Sequence, residues 1–317
     1  MTSATQLKFS GQRILVTGAT GFLGSHLCRS LNRSASDVHA ISRKPQPAND
    51  LLRWWQGDLS EFATTQALLN RIQPDVIFHL TAHAWGGPGL ELVRPTLHND
   101  LIATVNLLTA VTELKVSRVV LTGSLEEPQS GGPEVVPSSP YAAAKWASGA
   151  YARMFHQLYR TPAVIVRIFM TYGPGQPAKK LIPYTILSLL NGEAPKLSDG
   201  QRLIDWIYVD DVIEGLLTAA QAPDLEGSTI DVGSGSLIST RDVVEHLVDL
   251  VRPEVRPLFG AAPPRPMEPV RAADVKDTYE RVGWKPATSR EQGLELTVDW
   301  YRTQFMKNAS GFRNPPA

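Results

Sequence analysis

Apolar and polar positions follow two different rhythms along this chain, and the change from one to the other marks out its elements. Short runs rich in valine, isoleucine and leucine occupy Arg13 to Thr17, Val38 to Ser42, Val76 to Leu80 and Arg118 to Thr122, with a tryptophan-bearing run at Arg53 to Trp55. Such runs, bounded by turn formers, read as strands covered on both faces. Helical spacing of apolar residues fills the intervals, at Ser25 to Leu31, Phe62 to Ile72, Pro95 to Leu114 and Pro140 to Tyr159. Strand and helix in alternation predict right-handed crossovers and an α/β fold built on a doubly wound parallel sheet. Farther on, an amphipathic helix at Lys179 to Leu190 opens a smaller unit, the strand-like Ser228 to Val232 returns to the main sheet, and helices at Thr240 to Leu250 and Arg290 to Thr303 complete the smaller unit after a proline-rich crossing loop at Pro257 to Pro269. The expected division places residues 1–173 in the larger unit with 203–232 returning to it, and residues 174–202 and 233–307 in the smaller, interleaved one. Residues 308–317 read as a polar, disordered tail.

Composition narrows the chemistry without naming it. The 317 residues suffice for a large α/β domain and a smaller companion, and 31 basic residues balance 31 acidic ones. No field of one sign therefore recommends nucleic acid or an anionic membrane as partner. A single cysteine, Cys28, excludes an internal disulfide and a cysteine-rich metal site. No apolar run approaches the about 20 residues that span a bilayer, and Met1 to Ser10 lacks the apolar core of a secretory signal, so the expected location is the cytoplasm.

The first candidate chemistry lies between the first strand and the first helix, in Gly18-Ala19-Thr20-Gly21-Phe22-Leu23-Gly24. Glycines there allow a tight turn and close approach of backbone to a pyrophosphate, while the helix start offers unpaired N–H groups, which is the Rossmann arrangement for a dinucleotide. Gly18, Thr20, Gly21, Phe22, Leu23 and Gly24 are thus candidate cofactor residues. At the end of the second strand an acidic residue would accept from the ribose 2′-hydroxyl of NAD, but the chain has Ser42-Arg43-Lys44, which suits a 2′-phosphate. NADP(H) is favoured and NAD(H) stays open. Asp58, followed by Leu59, is a candidate partner for the adenine amino group, and Leu80 and Ala82 lie at the carboxyl edge of the next strand, where open sheets bind ligands. His79 and His83 have no partners at metal-ligand spacing, and no metal is expected. Trp85-Gly86-Gly87-Pro88-Gly89 is either a substrate lid or a plain connecting loop, which makes His83 and Trp85 candidates for substrate contact.

Tyr141 and Lys145 stand four residues apart on one face of a helix, so that an ammonium near the phenol would lower its pKa and fit it for proton transfer. Alone, the pair also reads as an ordinary surface contact. With Gly18-x-x-Gly21-x-x-Gly24, Asn99 and Ser124 in the same order, and with Val166-Arg167-Ile168-Phe169-Met170-Thr171-Tyr172-Gly173-Pro174-Gly175, Asp205-Trp206-Ile207-Tyr208-Val209-Asp210-Asp211 and Val282-Gly283-Trp284-Lys285-Pro286 further on, the chain resembles the extended short-chain dehydrogenase/reductase family of nucleotide-sugar epimerases, dehydratases and reductases.

The resemblance implies that Tyr141 exchanges a proton with the reacting oxygen, that Ser124 hydrogen-bonds that oxygen, that Lys145 binds the nicotinamide ribose and holds down the tyrosine pKa, and that Asn99 orders the water or backbone behind Lys145. It also implies a homodimer through the helices at Pro95 to Leu114 and Pro140 to Tyr159. The departures from the family pattern matter as much. The acidic pair that 4,6-dehydratases carry after the strand-end hydroxyl is Leu125-Glu126 here, and leucine cannot serve as a general acid. Met170 replaces an asparagine that helps hold the nucleotide diphosphate, and Ile204 replaces an arginine, leaving Arg202, Arg265 and Arg271 as candidate cations beside Met170 on the substrate side. The implied activity is NADP(H)-dependent reduction of a nucleotide-linked 4-keto-6-deoxyhexose. A C4 epimerase with tightly held NAD is the alternative within the class, and a catalytically inactive dinucleotide-sensing or scaffold protein is the alternative outside it.

Overall fold

The computed structural model describes residues 9–33, 37–48, 51–84, 86–128, 136–263, 267 and 269–311, with side chains as far as Lys307. The first half of the chain runs β1 (Arg13–Thr17), α1 (Phe22–Asn32), β2 (Asp37–Ser42), β3 (Arg53–Gln56), α2 (Phe62–Ile72), β4 (Val76–His79), α3 (Val93–Thr96), a π turn (Leu97–Ile102), α4 (Ala103–Val111), β5 (Arg118–Ser124) and α5 (Pro140–Tyr159). The second half runs β6 (Ala163–Ile168), β7 (Met170–Tyr172), α6 (Leu181–Leu190), β8 (Lys196–Leu197), β9 (Leu203–Tyr208), α7 (Val209–Gln221), β10 (Thr229–Val232), β11 (Leu237–Ser239), α8 (Thr240–Val251), β12 (Leu258–Phe259), α9 (Val275–Val282) and α10 (Arg290–Gly311).

A seven-stranded sheet in the order β10-β6-β5-β4-β1-β2-β3 forms the platform. Its strands are parallel throughout. Each side of it is covered, which is why the strands are continuous apolar runs rather than alternating ones. Ile14, Val16, Phe78 and Val120 pack with α1 and α7 on one face, while Leu15, Ile77, Val119 and Leu121 pack with α2, α4 and α5 on the other. A third cluster, around Tyr172, Ile186, Trp206, Leu247 and Leu294, is the core of the smaller unit.

Three findings differ from the sequence expectation. β9 pairs with β7 and β11 in a separate three-stranded sheet, so within 203–232 it is α7 and β10 that pack on the main platform. Helix α10 continues to Gly311, so residues 308–311 of the expected tail are helical, and 312–317 lie outside the described residues. The helix expected at Pro95 to Leu114 begins at Val93 and contains the π turn Leu97–Ile102. A π turn takes an extra residue, which rotates everything after it relative to regular helical spacing. Within this turn Asp100 is 1% exposed, and Asn99 is only half-buried.

Helix α5 starts where local chemistry dictates. The Ser139 side chain accepts a hydrogen bond from Ala142 N–H at 3.1 Å, and Pro140 takes the first helical position, where its missing N–H costs nothing. That fixes Tyr141 in the first turn, facing the end of β5.

Candidate active site

The glycine loop is built around its missing side chains. Gly18 has φ 69°, and a Cβ there would lie 2.8 Å from the backbone of Leu80 and Thr81. At Gly24 a Cβ would overlap the Gly18 carbonyl oxygen and come within 2.7 Å of Ala19 Cα. Gly21 N–H donates to that same Gly18 oxygen at 2.9 Å, which closes the turn. Helix α1 then begins without a side-chain cap and without an acidic residue in its first turn, so its N–H groups are open to an anion. In front of it lies a cleft of about 340 Å³ lined by Gly18, Thr20, Gly21, Ser42, Arg43, Asp58, Leu59, Leu80 and Ala82. These residues fit a dinucleotide. Lys44, read with Ser42 and Arg43 as suiting a 2′-phosphate, lines it too, as do Ile41, Gln46, Gly57 and Thr81, which were not singled out as cofactor residues by the sequence reading; Gln46 donates to Ser42 Oγ at 3.3 Å, a contact with no sequence signal.

Phe22, Leu23 and Gly24 do not line the cleft. Phe22 packs edge-on against His26, Leu23 packs into both neighbouring cores, and Gly24 serves the loop from behind. Arg43 is exposed at the rim, its guanidinium donating to Asn99 Oδ1 at 2.9 Å. Asp58 Oδ1 accepts from Ser60 N–H at 2.9 Å and from Ser60 Oγ at 2.8 Å, which fixes the turn after β3.

Beside the cleft, the end of β5 and the first turns of α5 bring Ser124, Tyr141 and Lys145 together. The Ser124 hydroxyl stands near the Tyr141 phenol and favours its ionised form. Ser124 is held at its backbone, where its N–H donates to Glu127 Oε1 at 2.7 Å, and its Oγ accepts from Glu126 N–H at 3.2 Å. Lys145 Nζ donates to Thr122 O at 2.9 Å and Thr122 Oγ1 at 3.0 Å, and lies 6.0 Å from the centre of the Tyr141 ring.

Two expectations about this cluster change. Burial, then the negative charge of Glu126, drives the Tyr141 pKa well above its ordinary value despite the nearby Ser124 hydroxyl, so in this structure Lys145 does not hold it down. Asn99 does not stand behind Lys145: its Nδ2 donates to Pro95 O at 2.6 Å and its Oδ1 receives Arg43. Asp100 is instead the carboxylate whose charge bears most on Lys145. Its Oδ1 accepts from His83 N–H at 2.5 Å, and burial raises its pKa against the opposing charge of Lys145.

On the substrate side, His83 is anchored through its backbone to Asp100, while Trp85 and Arg265 lie outside the described residues. Lys180 Nζ, just before α6, donates to Ala84 O at 3.0 Å in the loop after β4. Gly86 faces the Glu126 carboxylate, where a Cβ would come within 2.6 Å. Met170 is half-buried and packs into two cores, offering no hydrogen bond to a phosphate. Arg202 is half-buried just before β9, where its carbonyl accepts from Thr240 N–H at 2.9 Å. Arg271 is drawn to Asp231 at 3.4 Å and lies over Phe169, and burial lowers its pKa. The sequence reading missed the network this belongs to. Arg167 bridges Glu127 at 3.5 Å and Asp231 at 2.7 Å, which links the Ser124 turn to the loop carrying Arg271. Among the described residues no group of histidine, cysteine, aspartate and glutamate could hold a metal, and no helix is long and apolar enough to cross a membrane.

Comparison with known proteins agrees with this geometry. Residues 14–233 match the model of the NAD dependent epimerase/dehydratase family. The dTDP-glucose 4,6-dehydratase of Xanthomonas campestris pv. campestris strain B100 is 29% identical over 91% of this chain and 93% of its own length. A solved structure of MoeE5 in complex with UDP-glucuronic acid and NAD is 30% identical, covers 92% of this chain and 99% of its own, and superposes with a TM-score of 0.81. The UDP-glucose 4-epimerase of Thermotoga maritima, solved with UDP-glucose, is 24% identical over 92% of this chain and 99% of its own, and shares the fold with a TM-score of 0.84.

Proposed function

Because the chain belongs to the NAD dependent epimerase/dehydratase family, we propose that it is an NADP(H)-dependent oxidoreductase that reduces the 4-keto group of a nucleotide-linked 4-keto-6-deoxyhexose. The observation that carries this reading is the half-buried Tyr141 phenol, which keeps its proton and stands beside Ser124 next to the dinucleotide cleft. That is the state needed by a group that passes a proton to a carbonyl oxygen as the oxygen gains charge. Ser124 donates to the same oxygen, and its backbone clamp to Glu127 fixes where its hydroxyl points. When bound, the nicotinamide supplies the hydride. Ser42, Arg43 and Lys44 at the rim of the cleft support recognition of a 2′-phosphate, and hence the reductive cofactor pool.

The 4,6-dehydration named for the curated relatives is not favoured. Leu125 is 6% exposed within the hydrophobic core and its backbone N–H is spent on Ile168 O at 3.0 Å, so no general acid sits beside Ser124 at that position. C4 epimerisation with NAD is the second reading, favoured by the likeness to MoeE5, solved with UDP-glucuronic acid and NAD. A homodimer is proposed on the exposed apolar side chains of Val93 and Leu97 before α4 and of Trp146, Tyr151 and Leu158 along α5, and sedimentation equilibrium tests it.

The deciding assay supplies a nucleotide-linked 4-keto sugar with NADPH or NADH and follows absorbance at the reduced-nicotinamide band. Consumption of NADPH in step with substrate, falling by about 10²- to 10⁴-fold in Tyr141→Phe, is expected. Interconversion of a UDP-sugar by protein that retains its cofactor, with no added nicotinamide, would establish the epimerase instead. An unchanged rate in Tyr141→Phe would point to the non-catalytic alternative.

A further inference from the structure

We infer that Glu127 is a positioning residue for Ser124, held in place by a row of alternating charges that crosses β5, β6 and β10; this rests on reading Ser124 as the donor to the reacting oxygen. The row starts where a side chain is missing. Gly123, Arg167 and Asp231 stand in register on three neighbouring parallel strands, so they share one face of the sheet. A Cβ on Gly123 would come within 2.6 Å of Glu127 Oε1, so the Glu127 carboxylate fills the space that a side chain at 123 would take. From there the row continues: Glu127 Oε2 lies 3.5 Å from Arg167 Nε, Arg167 Nη1 donates to Asp231 Oδ1 at 2.7 Å, and Arg271 Nη2 donates to Asp231 Oδ2 at 3.4 Å.

Both ends are fastened to backbone. Glu127 Oε1 accepts the Ser124 N–H at 2.7 Å, and the Glu127 N–H donates to Ser124 O at 3.1 Å, which closes the turn in both directions. Glu126 N–H donates to Ser124 Oγ at 3.2 Å, so the hydroxyl keeps its proton to give. At the far end Asp231 Oδ2 also accepts from Asp274 N–H at 3.2 Å, and Ala273 N–H donates to Asp205 Oδ2 at 2.9 Å, which pins the segment leading into α9.

Glu127 is 4% exposed and Asp231 7% exposed, and buried carboxylates of this kind are tolerated because each meets a guanidinium. Strand cohesion alone would need only a carboxylate at position 123, opposite Arg167. Carried by Glu127 instead, the same charge spends one oxygen on Arg167 and the other on the Ser124 N–H. The arrangement therefore transfers the rigidity of the sheet to the backbone of the residue whose hydroxyl must point at the developing oxyanion.

Glutamine has one acceptor oxygen where Glu127 uses two, so Glu127→Gln can serve Ser124 or Arg167 but not both, and Glu127→Ala serves neither. Each is made in the wild type and in Ser124→Ala, and kcat and KM are measured with a dTDP-linked 4-keto-6-deoxyhexose and NADPH. Losing one donor to an oxyanion lowers kcat by about 10²- to 10³-fold, so Ser124→Ala should fall by that much, and Glu127→Ala by about 10- to 100-fold with KM within about threefold. Glu127→Gln should lie between Glu127→Ala and the wild type. In the Ser124→Ala background both changes at 127 should move kcat by less than about threefold, because the group they position is gone. Losses that persist there, or a Glu127→Ala kcat equal to that of the wild type, would overturn the assignment. If Glu127→Ala fails to fold, Gly123→Ala takes its place: its methyl displaces the carboxylate without removing the charge, and the same Ser124-dependent fall in kcat is expected, its absence refuting the proposal. Spectra correlating ¹H and ¹⁵N in serine-labelled protein supply a readout that needs no turnover. The Ser124 amide, assigned by its loss in Ser124→Ala, should lie downfield and exchange slowly with solvent. Glu127→Ala or Gly123→Ala should move it upfield and speed its exchange, and an unmoved amide would refute the clamp. A protein that reduces no 4-keto sugar would therefore remove the proposed function while the amide still decided whether Glu127 holds Ser124.

Discussion

His79 offers a quantitative check on how the site is held. Its ring spans two hydroxyls, with Nδ1 2.9 Å from Thr17 Oγ1 and Nε2 3.0 Å from Thr104 Oγ1. Thr104 Oγ1 spends its proton on Asp100 O at 2.5 Å, so toward the ring it can only accept. Nε2 therefore carries the hydrogen and Nδ1 accepts from Thr17, which assigns a neutral tautomer. Burial, reinforced by the charge of Lys145, lowers the His79 pKa from 6.5 to about 3. Between those values the unfolded chain binds a proton that the native state does not, so His79 makes the fold less stable as pH falls below the unfolded value. Lowering the pH from 7.5 to 5 should remove about 2 kcal/mol of stability through this one ring. Urea unfolding of the wild type and of His79→Gln at both pH values isolates it, because the carboxylates contribute equally to both proteins. His79→Gln should be the less stable protein at pH 7.5, with the gap shrinking by about 2 kcal/mol at pH 5. A gap that stays constant would mean that the native ring takes a proton above pH 5, and the tautomer assignment would fall with it.

Other consequences can be measured separately. Gly24→Ala places a methyl against the Gly18 oxygen and Ala19 Cα, so calorimetry should find dinucleotide affinity lowered more than about 10-fold, with a stability cost of about 1–3 kcal/mol; normal binding would contradict the loop geometry. Arg43→Glu should weaken NADP binding by roughly 10- to 100-fold, the worth of one charge-assisted hydrogen bond, while sparing NAD, and equal effects on both cofactors would remove Arg43 from 2′-phosphate recognition. Arg167→Met leaves Glu127 and Asp231 buried without their shared cation and should cost about 3–5 kcal/mol in denaturant unfolding, with a loss below about 1 kcal/mol showing that the network is not charged as drawn.

The main sheet could be read from the chain because a strand covered on both faces must be apolar along its whole length. Val76–His79 is buried at every position and shows just such a run. Helix α5 was legible at both ends, since Ser139 and Pro140 announce its start chemically. The smaller sheet was not. β7 and β11 have three residues each, too few for a period to show, and β9 carries an apolar run whose choice of partner lies in tertiary packing. The run Leu203–Tyr208 looked fit for the platform, but it pairs parallel with β7 and antiparallel with β11.

For the site, the legible residues were those whose role is a backbone constraint. Gly18 and Gly24 must lack a Cβ wherever the loop is made this way, and their spacing between a strand and a helix is enough to reveal it. Charge placement is a different kind of information. The four-residue spacing of Tyr141 and Lys145 names an ammonium beside a phenol, yet the tyrosine titrates according to burial and Glu126, which is fifteen residues earlier in the chain and on another element. The family resemblance likewise pointed to Asn99, whereas the buried residue at that turn is Asp100. The neighbouring position carries a carboxylate where the amide was expected, and its charge bears on the buried Lys145.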